Sequence, residues 1–175
     1  VSGYQAFRAL TPAQQRWALR TQARYAPHPY VWIRNARARS DGLGLVSEGK
    51  ELKREELPPF AAEEITTLPL VWVNPLTKEP SLQLHAFCVE QLITDGETLD
   101  DLIEIRRILH ELMRPAIAPD KVYAHAWLPG DLVIFNNRGV WHSVVGSLRP
   151  TDVRVYHQCN LASSEPPLGP DALAS

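Results

Sequence analysis

At 175 residues with 45% hydrophobic side chains, the chain has the size of one domain with a buried core. Its net charge of −2 gives no global attraction to nucleic acid or an anionic membrane, and no apolar run approaches the roughly 18 residues a membrane-spanning helix needs. Cys88 and Cys159 make neither a disulfide framework nor a metal-finger spacing, so free thiols in a reducing compartment are expected, and with them a soluble, cytoplasmic protein. The chain opens at Val1 with no charged-then-apolar leader, and its one methionine is Met113; the expectation is a single partial domain over 1–175 whose N-terminal portion is missing.

Thr11-Pro12 followed by AQQRWALRTQARY predicts a helix. Thr11 caps it, Pro12 occupies the first turn where a missing N–H costs nothing, and Gln14 completes a capping box. Pro27 and Pro29 end it, and Tyr30 to Ile33 is a candidate strand or buried segment. Residues 34–59 are polar and charged, which predicts an exposed loop with a short charged helix, or alternatively a lid over a substrate pocket. The runs 68–73 and 81–89, separated by a Pro-rich turn, predict a hairpin. Along its second strand Leu82, Leu84 and Ala86 alternate with Gln83, His85 and Phe87, and His85 reads as structural or exposed.

Residues 98–113 give the strongest helical pattern, with Thr98 as cap, Asp100 and Asp101 at the positive end of the dipole, and an apolar stripe from Leu99 to Met113 near period 3.6. That stripe predicts packing on a sheet; Pro115 stops the helix. Residues 162–175 hold three prolines and predict an irregular tail.

The stretch Trp127 to Asn160 concentrates the chemistry. After the Pro129-Gly130-Asp131 turn, the runs 132–135, 140–145 and 153–161 predict three strands. A hairpin of the last two about Leu148 sets His142 opposite Arg154, on one face with Cβ atoms roughly 5 Å apart. Period 2 adds Tyr156, Gln158 and Asn160 to that face and sends His157 and Cys159 to the other.

Pro129-Gly130-Asp131, an apolar strand, Asn136-Asn137-Arg138, a His four residues after that Arg and an Arg twelve after the His together resemble the C-terminal signature of the taurine dioxygenase-like (TauD/TfdA) family of Fe(II)- and 2-oxoglutarate-dependent dioxygenases. The resemblance implies an α+β protein, mainly β with helices, forming the C-terminal part of a double-stranded β-helix, a jelly roll or cupin-like barrel. It implies His142 as an iron ligand and Arg154 as the anchor of the far carboxylate of 2-oxoglutarate. The residue types suit those roles: a neutral imidazole is a good Fe(II) ligand, and a guanidinium forks onto a carboxylate through two parallel hydrogen bonds.

Asn136 stands where the family has Asp, and Lys78 where its hairpin turn has Gly. None of the six histidines is followed two residues later by Asp or Glu, so the family's His-x-Asp ligand pair is absent and these 175 residues alone are expected to be inactive. The run Tyr156 to Asn160 is similar to that of the fungal xanthine dioxygenases of this family, where equivalents of Gln158 and Asn160 read the purine; amides donate and accept at once, matching an oxidised purine edge. The implied reaction uses Fe(II), 2-oxoglutarate and O2, with ascorbate as reductant, on a small-molecule substrate, xanthine going to uric acid. It involves neither nucleic acid nor membrane and leaves a homo-oligomer open. Two alternatives stand beside it: another small substrate in the same family, and a non-catalytic β-barrel module in which His142 and Arg154 bind a small anion.

Overall fold

The computed structural model describes residues 1–33, 39, 43–143, 149, 151, 153, 155–161 and 163–173. The expected α+β class holds: short antiparallel strands form a four-stranded and a two-stranded sheet, with helices packed on them.

Helix α1 (Gly3–Arg8) precedes α2 (Pro12–Leu19). The predicted capping box forms: the Gln14 N–H donates to Thr11 Oγ1 at 3.3 Å, and the Thr11 N–H donates to Gln14 Oε1 at 2.9 Å. The helix does not run on to Tyr25 as its composition suggests. It stops at Leu19, and β1 (Thr21–Tyr25) follows at once. Thr21 and Ala23 point inward and Gln22 outward, a period of two, and both edges of β1 are paired, by β2 (Thr67–Pro69) and β5 (Val89–Thr94). Two ladders of main-chain hydrogen bonds outweigh the helical propensity of these residues. Tyr30 to Ile33 is likewise no strand: Pro29–Trp32 is a short helix, α3, that buries Trp32, with Ile33 buried after it.

The predicted hairpin forms between β3 (Val71–Val73) and β4 (Pro80–Leu82). Its turn keeps a left-handed residue although glycine is absent, with Lys78 at φ 59°. Asn74 holds the turn: its Oδ1 accepts from the N–H of Leu76 at 2.9 Å and of Thr77 at 3.1 Å, and its main chain closes onto Lys78 and Glu79.

The helix predicted at 98–113 begins later. Residues Glu97–Leu99 form β6, paired back on β5 across a turn in which Asp95 and Gly96 both have positive φ. Asp-Gly between apolar runs is a strong hairpin signal, and it takes precedence over Thr98 as a cap. Helix α4 is Leu102–Met113, with the Ile103 N–H donating to the Asp101 carboxylate at 2.9 Å. Its stripe packs on the sheet as expected: Ile105, Leu109 and Leu112 are buried with Ala23, Val89 and Leu92 of β1 and β5. A 3-10 turn through Arg114–Ala116, containing Pro115, ends it.

In the 34–59 segment, residues 34–38 and 40–42 lie outside the described residues. The described remainder carries the expected short charged helix, a 3-10 turn at Arg54–Glu56. Ion pairs tie it down: Arg54 to Glu90 of β5 at 2.8 Å, and Glu51 to Arg106 of α4. The tail is anchored too, the Val73 N–H donating to the Leu168 carbonyl at 2.9 Å before a 3-10 turn at Pro170–Leu173.

Candidate functional site

The path to His142 is set by the N-terminus. The Gly3 N–H donates to the Gly139 carbonyl at 2.9 Å, Val1 and Trp141 exchange hydrogen bonds through their main chains at 2.9 and 3.1 Å, and Val140 bridges Ser2. Residues 1–3 therefore pair with one main-chain edge of residues 139–141. Of the three strands expected in this stretch, none appears among the described residues: 132–135, 141–143, 153 and 155–161 are irregular, with Leu132, Ile134, Val153 and Val155 exposed. Extended residues without a neighbouring strand to accept their N–H groups make no ladder, whatever their β propensity. The turn of the expected hairpin, residues 144–148, lies outside the described residues, and so does Arg154.

Before His142 the Asn136-Asn137-Arg138-Gly139 turn is well formed. The Gly139 N–H donates to the Asn136 carbonyl at 3.1 Å, and the Arg138 N–H donates to Asn136 Oδ1 at 3.0 Å. An aspartate oxygen would accept the same bond, so Asn136 conserves the turn's acceptor. Glycine is needed at 139 because a Cβ there would lie 2.7 Å from the Tyr4 ring. Arg138 donates to the Glu165 and Pro166 carbonyls, pinning the tail beneath the turn.

Two long-range bonds hold this segment against the end of β4. Gln83 Nε2 donates to the Arg138 carbonyl at 2.9 Å, and Trp141 Nε1 donates to the Leu82 carbonyl at 2.8 Å. They hold the segment that carries His142 against the end of β4, a few residues before His85, which is exposed, one of the two places its sequence context suggests. The crowded surroundings of His85 hold its pKa below the usual imidazole value, and a charge on His142 pushes it the same way. His142 is exposed and packs on Phe135 with ring centroids 5.0 Å apart.

Gln158 and Asn160 are exposed and meet as the period of two suggests, Gln158 Nε2 donating to Asn160 Oδ1 at 3.2 Å. Among the described residues, the main-chain bonds just before His142 run to Val1 and Gly3, the Trp141 indole donates to the Leu82 carbonyl, and the His142 ring meets Phe135. The Pro129-Gly130-Asp131 turn is present, with Gly130 at φ 92°. The Leu128 N–H, and then His125, hold the Asp131 carboxyl below its ordinary pKa.

Iron in a two-His-one-carboxylate site needs three donors on one face. Among the described residues no three His, Cys, Asp or Glu side chains gather in a way that could hold a metal ion. His142 offers one imidazole, and the described donor set does not complete such a site.

The family model for "Taurine catabolism dioxygenase TauD, TfdA family" matches residues 1–159. The alpha-ketoglutarate-dependent xanthine dioxygenase of Neurospora crassa is 51% identical over 98% of the chain and 41% of its own length. Those of Schizosaccharomyces pombe and Emericella nidulans are 47% and 48% identical over 97% and 94% of the chain, and 42% and 45% of theirs. The chain thus spans less than half the length of these curated relatives, and no solved structure gives a significant match. With a family match from the first residue to beyond Gln158, the chain belongs to the taurine catabolism dioxygenase TauD, TfdA family.

Proposed function

We propose that these residues are the C-terminal portion of a double-stranded β-helix dioxygenase that converts xanthine to uric acid with 2-oxoglutarate and O2. One oxygen atom enters the purine, the other enters succinate, and the keto acid loses its carboxylate carbon as CO2. The observation that carries this reading is identity of about half to fungal alpha-ketoglutarate-dependent xanthine dioxygenases along almost the whole chain.

Each residue has a task consistent with its chemistry. His142 presents a solvent-facing imidazole at the end of a segment fixed by the Gln83 and Trp141 hydrogen bonds, as a metal ligand must be fixed. Arg154 supplies the planar fork for the far carboxylate of 2-oxoglutarate. Gln158 and Asn160 hold each other in register and keep a free amide edge for the alternating N–H and C=O groups of the purine. The bound metal would activate O2 and the keto acid; its other two donors are not among the described residues of this chain.

The test is urate formation by the full-length protein with Fe(II), ascorbate, 2-oxoglutarate and xanthine, with succinate released in equal amount. His142→Ala should abolish both products, and Gln158→Ala should raise the KM for xanthine while sparing that for 2-oxoglutarate. Succinate release coupled to some other substrate, with no urate from xanthine, would refute the substrate assignment.

A further inference from the structure

We propose that Tyr123, His125 and Asp131 form a second reactive site, apart from the residues assigned above, in which the Tyr123 phenol is a nucleophile that takes an acyl group from an activated, uncharged acyl donor.

The three side chains are joined end to end. The Tyr123 hydroxyl lies 3.0 Å from His125 Nδ1, and His125 Nε2 lies 3.1 Å from Asp131 Oδ2. A carboxylate only accepts, so Nε2 is the nitrogen that carries the proton. Nδ1 of the neutral ring is then an acceptor, and the phenol donates to it. The order is a nucleophile, a base within reach of its proton, and a carboxylate that orients the base and stabilises the imidazolium it becomes.

The surroundings hold this chain without needing it. The rings of residues 123, 125 and 127 meet in sequence, Tyr123 to His125 at 5.8 Å and His125 to Trp127 at 4.4 Å between centroids. The Pro129-Gly130 turn brings Asp131 back to His125. That turn closes by itself: the Leu128 N–H donates to Asp131 Oδ2 at 2.8 Å, and the Asp131 N–H donates to the Leu128 carbonyl at 3.1 Å. Holding the turn therefore does not require the histidine, and Tyr123, 78% exposed, gains little burial from its bond to the ring.

Access and donor class come from the cleft beside the phenol. Tyr123 lines an open cleft of about 660 Å³ with Gln5 and Arg8 of α1 and with Asp120 and Lys121. Its charges are of both signs, and Arg8 and Lys121 are engaged with Glu79 and with the Pro115 carbonyl. Such a lining favours no ion, which points to an uncharged donor with a good leaving group. In the step, the phenol oxygen bonds to the acyl carbon as its proton passes to His125 Nδ1. The bond from that carbon to the leaving group breaks, and His125 returns the proton to the leaving group. Nothing is oxidised or reduced.

The experiment treats the full-length protein with N-acetylimidazole and follows acetylation of each tyrosine by peptide mass spectrometry. Tyr156, 56% exposed and outside the relay, is the reference phenol. Tyr123 should react roughly 100-fold faster than Tyr156, the lower end of what a positioned general base contributes. His125→Phe keeps a ring against Trp127 and should remove that advantage. Asp131→Asn keeps an oxygen for both hydrogen bonds but loses the charge, and should slow Tyr123 by about 10-fold, while Asp131→Glu, which restores the charge, should recover part of the rate. A positioning role by shape alone would rank the two the other way, and the Asp131 pair carries the test if the phenylalanine perturbs the segment. Acetylation of wild-type Tyr123 no faster than Tyr156 would overturn the proposal, and so would a wild-type rate in Asp131→Asn.

Discussion

Glu51→Ala tests whether the 43–57 segment is a fixed part of the fold. The Glu51 carboxylate pairs with the Arg106 guanidinium of α4; their side chains are 12% and 7% exposed, and Arg106 Nε has no hydrogen-bond partner among the described residues. Removing the carboxylate leaves a guanidinium charge in a crevice that water scarcely reaches. Breaking a buried pair from one side costs about 3–5 kcal/mol, because the surviving charge loses its partner without regaining its hydration. At roughly 2–4 °C per kcal/mol for a chain of this size, the midpoint of thermal unfolding should fall by roughly 6–20 °C. Replacing both partners with apolar residues, Glu51→Leu with Arg106→Met, removes the orphaned charge and should recover most of that loss. The assay is thermal unfolding followed by circular dichroism for wild type, the single variant and the double variant. A Glu51→Ala midpoint within 2 °C of wild type would show that the pair is solvated and that the segment is free to move as a lid.

Three further outcomes follow from particular residues. Lys78 is held at φ 59°, where a Cβ is strained, so Lys78→Gly should stabilise the chain by about 1 kcal/mol, read as a higher urea midpoint with unchanged slope; a lower midpoint would refute the strain. Burial pushes the Cys88 thiol from 9.0 to about 11 and the Tyr25 phenol from 10.0 to about 12, so the unfolded chain releases those protons first. Stability is intact below pH 9 and should fall between pH 9 and 12 by up to roughly 3 kcal/mol per group; Cys88→Ala and Tyr25→Phe should flatten the lower and upper parts of that fall, and an unaltered profile would show the groups are not desolvated. Ile134 and Val155 are 85% and 83% exposed in a ribbon of apolar side chains, so the 175-residue chain alone should bind a hydrophobic dye and self-associate, and Ile134→Lys with Val155→Lys should suppress both.

Local signals in the sequence were sufficient where the structure they specify is local. Thr11, Pro12 and Gln14 place a helix start because the capping bonds span three residues. The stripe of α4 finds its buried face because period 3.6 is a property of the helix itself. The end of α2 and the nature of residues 21–25 were not legible that way: AQQRWALRTQARY reads as one helix until β2 and β5, about 45 to 70 residues downstream, pair with Thr21–Tyr25. Asp95-Gly96 was a readable signal, overshadowed by the stronger helical pattern that follows it.

The site divides along the same line. Residues two apart on an extended chain face one way irrespective of what pairs with them, so Gln158 and Asn160 meet even though the strand expected around them is absent from the described residues. The neighbour of His142, by contrast, depends on which chain occupies the edge of 139–141. Val1 to Gly3 bond to one edge of that segment, and the indole of Trp141 and the amide of Gln83 draw in the end of β4. No periodicity within residues 127–160 could reveal that the end of β4 packs there, because the bonds that hold it join residues 55 and 59 positions apart. Those two bonds, and not any pattern of neighbours, are what fix the approach of the chain to His142.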